Sequence, residues 1–319
     1  KVWIQATATI SSPIFFISNR STKATIKAQA TAGVTAFSGA GCIYVLDKTA
    51  SPALSATGNT TVSASDCGIY VASSASNAIN VQGSSTVNAT GGGEVVIKCG
   101  ACYYTSGTST AYYVSGGSHV PPAVGATNNP LAALQGPSWT ASGCTQNPNY
   151  TSGGTTYSLT SGVYCGGITI GGNNTVNLGS GTYILDGGGF NIGNSAKVNG
   201  TGVTIYITSD SSHPAGGLNL TGNATVNLTA PTSGTYQGIV FFQDPAVTSA
   251  ATIANSANGT ITGTYYLPSA AFSLTGNVQG TSTAAFIVDT LTVNGSSTLN
   301  NDPTGKVTGL NKSYSGLFQ

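Results

Sequence analysis

Short alternating apolar runs dominate this chain, and Gly or Asn closes most of them. Alternation with a period of two, bounded by such residues, predicts β-strands separated by turns. No apolar stripe of helical period persists, Glu occurs once (Glu94) and Met never. The runs also repeat. Ile43-Tyr44-Val45 returns as Ile69-Tyr70-Val71, and Ala53–Gly58 returns as Ala78–Gly83, 25 positions on. Ile168-Thr169-Ile170, Gly172-Asn173 and Thr175–Leu178 return 50 positions later as Leu218-Asn219-Leu220, Gly222-Asn223 and Thr225–Leu228. Phe190-Asn191-Ile192 with Lys197-Val198-Asn199 forms a copy between them, and Phe272-Ser273-Leu274 and Leu291-Thr292-Val293 continue the series.

A period of roughly 19–28 residues with two or three short strands per repeat is the mark of a β-solenoid. The expected fold is therefore all-β: a right-handed parallel β-helix with a small N-terminal β-strand pair. Ile, Val, Leu and Tyr would fill its interior, Thr, Asn and Ser would face outward, and Gly would supply the corners. The expected organisation is a strand pair in 1–35 (Val2–Ile10 and Lys23–Ala30), first coils in 36–98, an irregular Tyr/Pro/Gly-rich insertion in 99–160, main coils in 161–300 and a tail in 301–319. The rival is a two-sheet sandwich, which would show hairpin turns without a persistent positional repeat.

Composition narrows the function. Charged residues make up 5% of the chain and the net charge is +1. A chain so poor in cations cannot neutralise many phosphates, so nucleic-acid binding is not expected. Weak repulsion between copies permits self-association. Cys42, Cys67, Cys99, Cys102, Cys144 and Cys165 form an even set without His neighbours, which favours disulfides in an exported protein. Cys99 and Cys102 make a C-x-x-C, the starting point of a zinc reading, but no second such pair and no paired His follow. No signal peptide and no 18-residue apolar run is found; Pro13–Ile17 is too short to span a bilayer. The chain begins at Lys1 without Met, so a processed or truncated form is expected, its anchoring segment missing.

Candidate chemistry is sparse. The carboxylates are Asp47, Asp66, Glu94, Asp186, Asp210, Asp244, Asp289 and Asp302, no two within ten positions. Stacked repeats could bring Asp47 near Asp66, or Asp186 near Asp210, as glycoside hydrolysis requires; corner aspartates are the simpler reading. Arg20 is the one arginine and no calcium-loop pattern occurs, which argues against a polysaccharide lyase. His119 and His213 fall in loops and no G-x-S-x-G elbow accompanies them. Gly91–Gly93 and Gly187–Gly189 read as corners rather than phosphate loops, lacking a following helix. Sequons such as Asn59-Thr60-Thr61 are numerous but expected by chance in this composition.

Taken in order, several segments resemble the TadG-like (TadE/G-like) proteins of Flp/Tad pilus assembly. They are Ile4–Ala8, Pro13–Phe16, Cys42–Asp47, Cys67–Val71, Asn129–Leu134 (matching D-P-L-A-x-L with Asn129 for the acid), Gly162–Ile168, Gly181-Thr182-Tyr183, Gly202-Val203-Thr204, Gly238–Phe241, Gly263–Pro268 and Val288-Asp289-Thr290. The usual hydrophobic front segment of that family is absent. The resemblance implies an extracellular or envelope location, pilus or envelope proteins as partners, and a homo-oligomer or filament. Membrane contact would run only through the missing anchor. The resemblance brings no catalytic residue and no cofactor. It implies Cys42–Cys67 and Cys144–Cys165 disulfides and a local Cys99–Cys102 pair; the 25-residue Cys42–Cys67 spacing also fits one repeat. A non-catalytic surface structural or adhesive protein, rather than an enzyme, is therefore the leading expectation. A solenoid binding glycans, a surface or ice through outward Thr (Thr169 and Thr175, Thr221 and Thr225) is the second, and a β-helical polysaccharide enzyme the third.

Overall fold

The computed structural model describes residues 2–13, 23–35, 43–65, 67–90, 95–97, 103–107, 110–111, 129–140, 144, 148–282, 285–301 and 314–318. No helix occurs among them, so none is long and apolar enough to cross a membrane. The chain forms two units, Lys1–Ser38 with Asn311–Gln319, and Gly39–Leu310.

The smaller unit is an antiparallel sheet. Val2–Pro13 pairs with Lys23–Thr35, from Val2 opposite Val34 to Pro13 opposite Lys23. This is the strand pair expected from alternation, each strand a few residues longer. A third strand, Tyr314–Phe318, lies on the far side of Lys23–Thr35. It comes from the stretch read as a tail, so that reading is corrected: a five-residue run is too short to declare itself without its partner.

In the larger unit every pairing between named strands is parallel, and the strands fall into three rows. The first row runs through Gly162–Cys165, Gly181–Asp186, Val203–Thr208, Ile239–Gln243 and the starts of Thr264–Gly276 and Phe286–Gly295. It then continues into Ile43–Val45, Ile69–Val71 and Val95–Ile97. The second row runs from Asn149–Tyr150 through Ile168–Ile170, Phe190–Ile192, Leu218–Leu220, Ala251–Asn255 and the later parts of the two long strands. It too passes into the N-terminal repeats, at Leu54–Gly58, Ile79–Gly83 and Tyr103–Gly107. The third row is two sheets, one from Thr156–Leu159 to Ile261–Thr262, the other from Gln279–Ser282 to Thr110–Ala111. The early repeats thus stack beyond the late ones, although they come first in the chain.

The repeat explains the register. Ile43 pairs with Ile69, and Leu54 with Ile79, as the recurring runs require. Inward positions hold Ile, Val, Leu and aromatic rings. Phe241, Tyr265 and Phe286 follow one another at centroid distances of 5.0 and 4.6 Å, all buried. Corners follow the same logic. Gly276, Gly295, Gly58, Gly83 and Gly107 stack in register, all at positive φ. A Cβ at Gly58 would stand 2.5 Å from the Gly295 carbonyl oxygen, so only glycine admits the next repeat so close.

The irregular insertion is narrower than 99–160. Tyr103–Gly107 and Thr110–Ala111 belong to the rows, as do Asn149–Tyr150 and Thr156–Leu159. Tyr, Thr and Ser at these positions hide an alternation that Ile and Val display elsewhere.

Candidate functional site

The densest cluster of titratable groups among the described residues lies at the C-terminal ends of the strands that open the first row. Pairing sets Cys165, Asp186 and Thr208 side by side at the ends of their strands. After Thr208 the chain turns through Ser209–Pro214. Asp210 shapes this loop: its Oδ1 accepts the Ser212 and His213 backbone N–H groups at 2.7 and 2.8 Å. The turn folds His213 back over Asp186. His213 Nδ1 then lies 2.8 Å from Asp186 Oδ2 and 3.1 Å from Asp210 Oδ1. Gly187-Gly188-Gly189 makes room. All three have positive φ, and a Cβ on Gly187 would fall 2.6 Å from His213 Cβ. The glycines serve as corners, as the sequence suggests.

Asp186 is fully buried, whereas His213 and Asp210 keep 31% and 28% of their side-chain surface exposed. Burial raises the Asp186 pKa above the ordinary carboxylate value, and the Asp210 charge adds to this against the pull of His213. At Asp210 desolvation also acts upward, but the Ser212 and His213 N–H groups and the His213 charge outweigh it and lower its pKa. Asp186 Oδ1 has no hydrogen-bond partner. Cys165 Sγ lies 3.5 Å from Asp186 Oδ2 and is disulfide-bonded to Cys144, with Cα atoms 5.6 Å apart.

Chemically, a histidine held by carboxylates resembles half of a proton-transfer relay. Here one nitrogen, Nδ1, faces both acids, and the inner acid is sealed from solvent. Two catalytic carboxyls must both reach a glycosidic bond, and Asp186 is buried in this structure. The three donors Asp186, Asp210 and His213 sit within 4.8 Å of one another. Their contacts tie the Asp210–Pro214 loop to the end of Gly181–Asp186, which pairs with the disulfide-bearing strand. Oxidised Cys144 and Cys165 have no thiolate to offer a metal.

A second feature lies on the outer face of the first row. Register aligns Val163, Ile184, Tyr206, Phe242, Tyr266, Ile287 and Tyr44 into one apolar stripe. Residues 129–140 run along it as a strap. Leu131, Leu134 and Trp139 pack on the stripe. Tyr266 Oη donates to the Leu131 carbonyl at 3.1 Å and accepts from Asn129 Nδ2 at 2.9 Å. Tyr236 Oη donates to the Gln135 carbonyl at 3.1 Å. Gly136 lies against the Tyr206 ring, where a Cβ would come 2.6 Å from Cζ. The disulfide holds the strap's far end. Sequence reasoning singles out Asn129–Leu134 as a motif but not its place.

Other candidates have simple roles. Asp47 Oδ1 accepts the Thr49 and Ala50 N–H groups, both at 2.7 Å, and the Thr49 contact leads in lowering its pKa. Asp47 in turn helps raise Asp289, behind burial. Asp244 accepts the Tyr206 hydroxyl at 2.6 Å and caps Ala246. Cys67 is buried. Cys42, Cys99, Cys102, Asp66, Glu94, Asp302, Arg20, His119 and Gly91–Gly93 lie outside the described residues. Outward positions carry amides and hydroxyls. Asn219 donates to Asn191 at 2.8 Å, and Asn227 to Asn199 and Asn199 to Asn177 at 3.2 Å. Thr169, Thr175 and Thr225 point outward in the rows, while Thr221 lies in a turn.

A family model described as Domain of unknown function (DUF7305) matches residues 138–306, more than half of the chain. No curated protein and no solved structure matches.

Proposed function

The chain belongs to the DUF7305 family, and from that premise we propose a non-catalytic bacterial surface protein with a structural or adhesive role. In this reading the three parallel rows wind as a right-handed β-helix, and the protein works outside the cytoplasm with pilus or envelope proteins, as in Flp/Tad pilus assembly. One observation carries it: the one dense acid–histidine cluster among the described residues holds a loop and a disulfide in place, with its inner carboxylate at 0% exposure. Extensive outer ladders of neutral amides and hydroxyls and a cross-linked strap suit a protein that must persist in an oxidising medium. Electron microscopy of producing cells and of purified protein tests this. Labelling on the cell surface or in filaments is expected; protein found only free in the medium would count against it.

A second reading has its own observation. Thr169, Asn191, Asn219, Thr252, Ser273, Thr292 and Ser55 succeed one another along the second row, facing outward. Such a row suits glycans, or ice. Thermal hysteresis and a glycan array test it; no signal in either leaves the structural role alone.

A further inference from the structure

Two seams join distant parts of the chain. Phe286–Gly295 pairs in parallel with Ile43–Val45 and Leu54–Gly58, and Thr298–Asn301 with Thr61–Ser65. Tyr314–Phe318 pairs antiparallel with Lys23–Thr35. Among the described residues, these pairings join the N-terminal repeats to the last strands of the chain. At both, an N-terminal segment completes a C-terminal sheet edge. We propose that copies of this chain exchange residues 43–111 as a donor block, each block closing on the 286–301 acceptor edge of a neighbour.

The seam is built like any other step in the stack. Leu291 meets Leu54, Val293 meets Ala56, and Gly295 meets Gly58, with inward residues buried on both sides. A second copy offers the same edge with the same register, so exchange replaces each pairing with its equal. Covalent reach permits it. The strap from Asn129 stays with the acceptor block through Tyr266 and the Cys144–Cys165 bond. Residues 112–128 link Ala111 to Asn129, and at about 3.3 Å each they reach ~55 Å. Thr110–Ala111 stands four pairing steps from Gln279–Ser282, through the strands at 86–90, 61–65 and 298–301. At ~4.8 Å per step that is roughly 19 Å. The link is far longer than closure within one chain needs. Closure within one chain is independent of concentration whereas exchange needs a second copy, so dilute chains close on themselves and concentrated ones exchange. Head-to-tail exchange has no built-in end, so it generates dimers, rings or filaments.

The inference deepens the structural reading of the preceding section and rests on it for its use on the cell. Ser55 and Thr292 face each other across the seam, partly exposed. Ser55→Cys and Thr292→Cys together in one full-length chain should give an internal disulfide, since paired strands stand at bridging distance. The test mixes the two single variants, unfolds them and refolds them together at about 1 mM and, separately, a thousandfold more dilute. Expected is a reducible covalent heterodimer on non-reducing gels at high concentration, at least tenfold scarcer at low, and absent when either variant is paired with the parent chain. An internal bridge in the double variant with no heterodimer in the mixture would overturn the exchange. Failure of the double variant to bridge would overturn the seam itself. Filaments on cells without heterodimers would leave the structural role standing and remove exchange as its mechanism.

Discussion

At the scale of single residues, burial and close approach decide what each group does. Asp186 binds its proton more tightly folded than unfolded. Its contribution to stability is therefore full below the unfolded carboxylate range and is lost as pH rises through the raised folded value. Asp210 and Asp47, both lowered, act oppositely and lose their contribution as pH falls through theirs. Asp186→Asn removes the first effect. Denaturant melts from pH 3 to pH 7 should show the variant gaining stability relative to the parent as pH rises; a flat or falling difference would contradict the burial argument. Gly58 makes a steric claim. With φ at 100° and a neighbouring carbonyl in the way, Gly58→Ala should lose at least about 1 kcal/mol, the least that positive-φ strain costs; an unchanged melting temperature would contradict it.

At the scale of elements, the strands were legible because alternation and glycine corners are local properties. Ile43–Val45, Ile69–Val71 and Thr175–Leu178 announce themselves by inward aliphatics and outward polar residues. The closeness of Asp186 and Asp210 was legible as an option, since adjacent repeats stack. His213 was not, because its position follows from the Asp210 turn and from Gly187, neither of which has a periodic signature. The strap was equally hidden: Leu131, Gly136 and Trp139 follow the outer stripe instead of a period of their own. Its cross-link is testable. Cys165→Ser frees a 21-residue separation, worth about 3 kcal/mol by loop entropy. Hydrogen exchange should quicken across 129–140 while Val203–Thr208 and Ile239–Gln243 stay protected. Unchanged protection of the strap would show that packing alone holds it.

At the scale of the whole chain, the order of the repeats was the least legible feature. Period and pleat specify which side chains point inward and the register in which a strand pairs. They do not specify which repeat comes next, because Ile43 fits equally well on Phe286 or on any similar inward residue. The N-terminal repeats therefore end beyond the C-terminal ones, and the strap returns the chain to the opposite end of the stack. That order creates the seams and the acceptor edge on which the exchange proposed between copies depends. Spin labels at Ser63 and Ser158 measure it directly in the monomer at low concentration. Ser63 pairs with Asn300, Asn300 with Thr281, and Ser158 with Asn177. Along the observed stack the two sites are seven strand steps apart, or ~34 Å at ~4.8 Å each. Repeats stacked in plain chain order would put them about three steps apart, near ~14 Å. A distance near the larger value is expected; one near the smaller would contradict the fold and everything built on it.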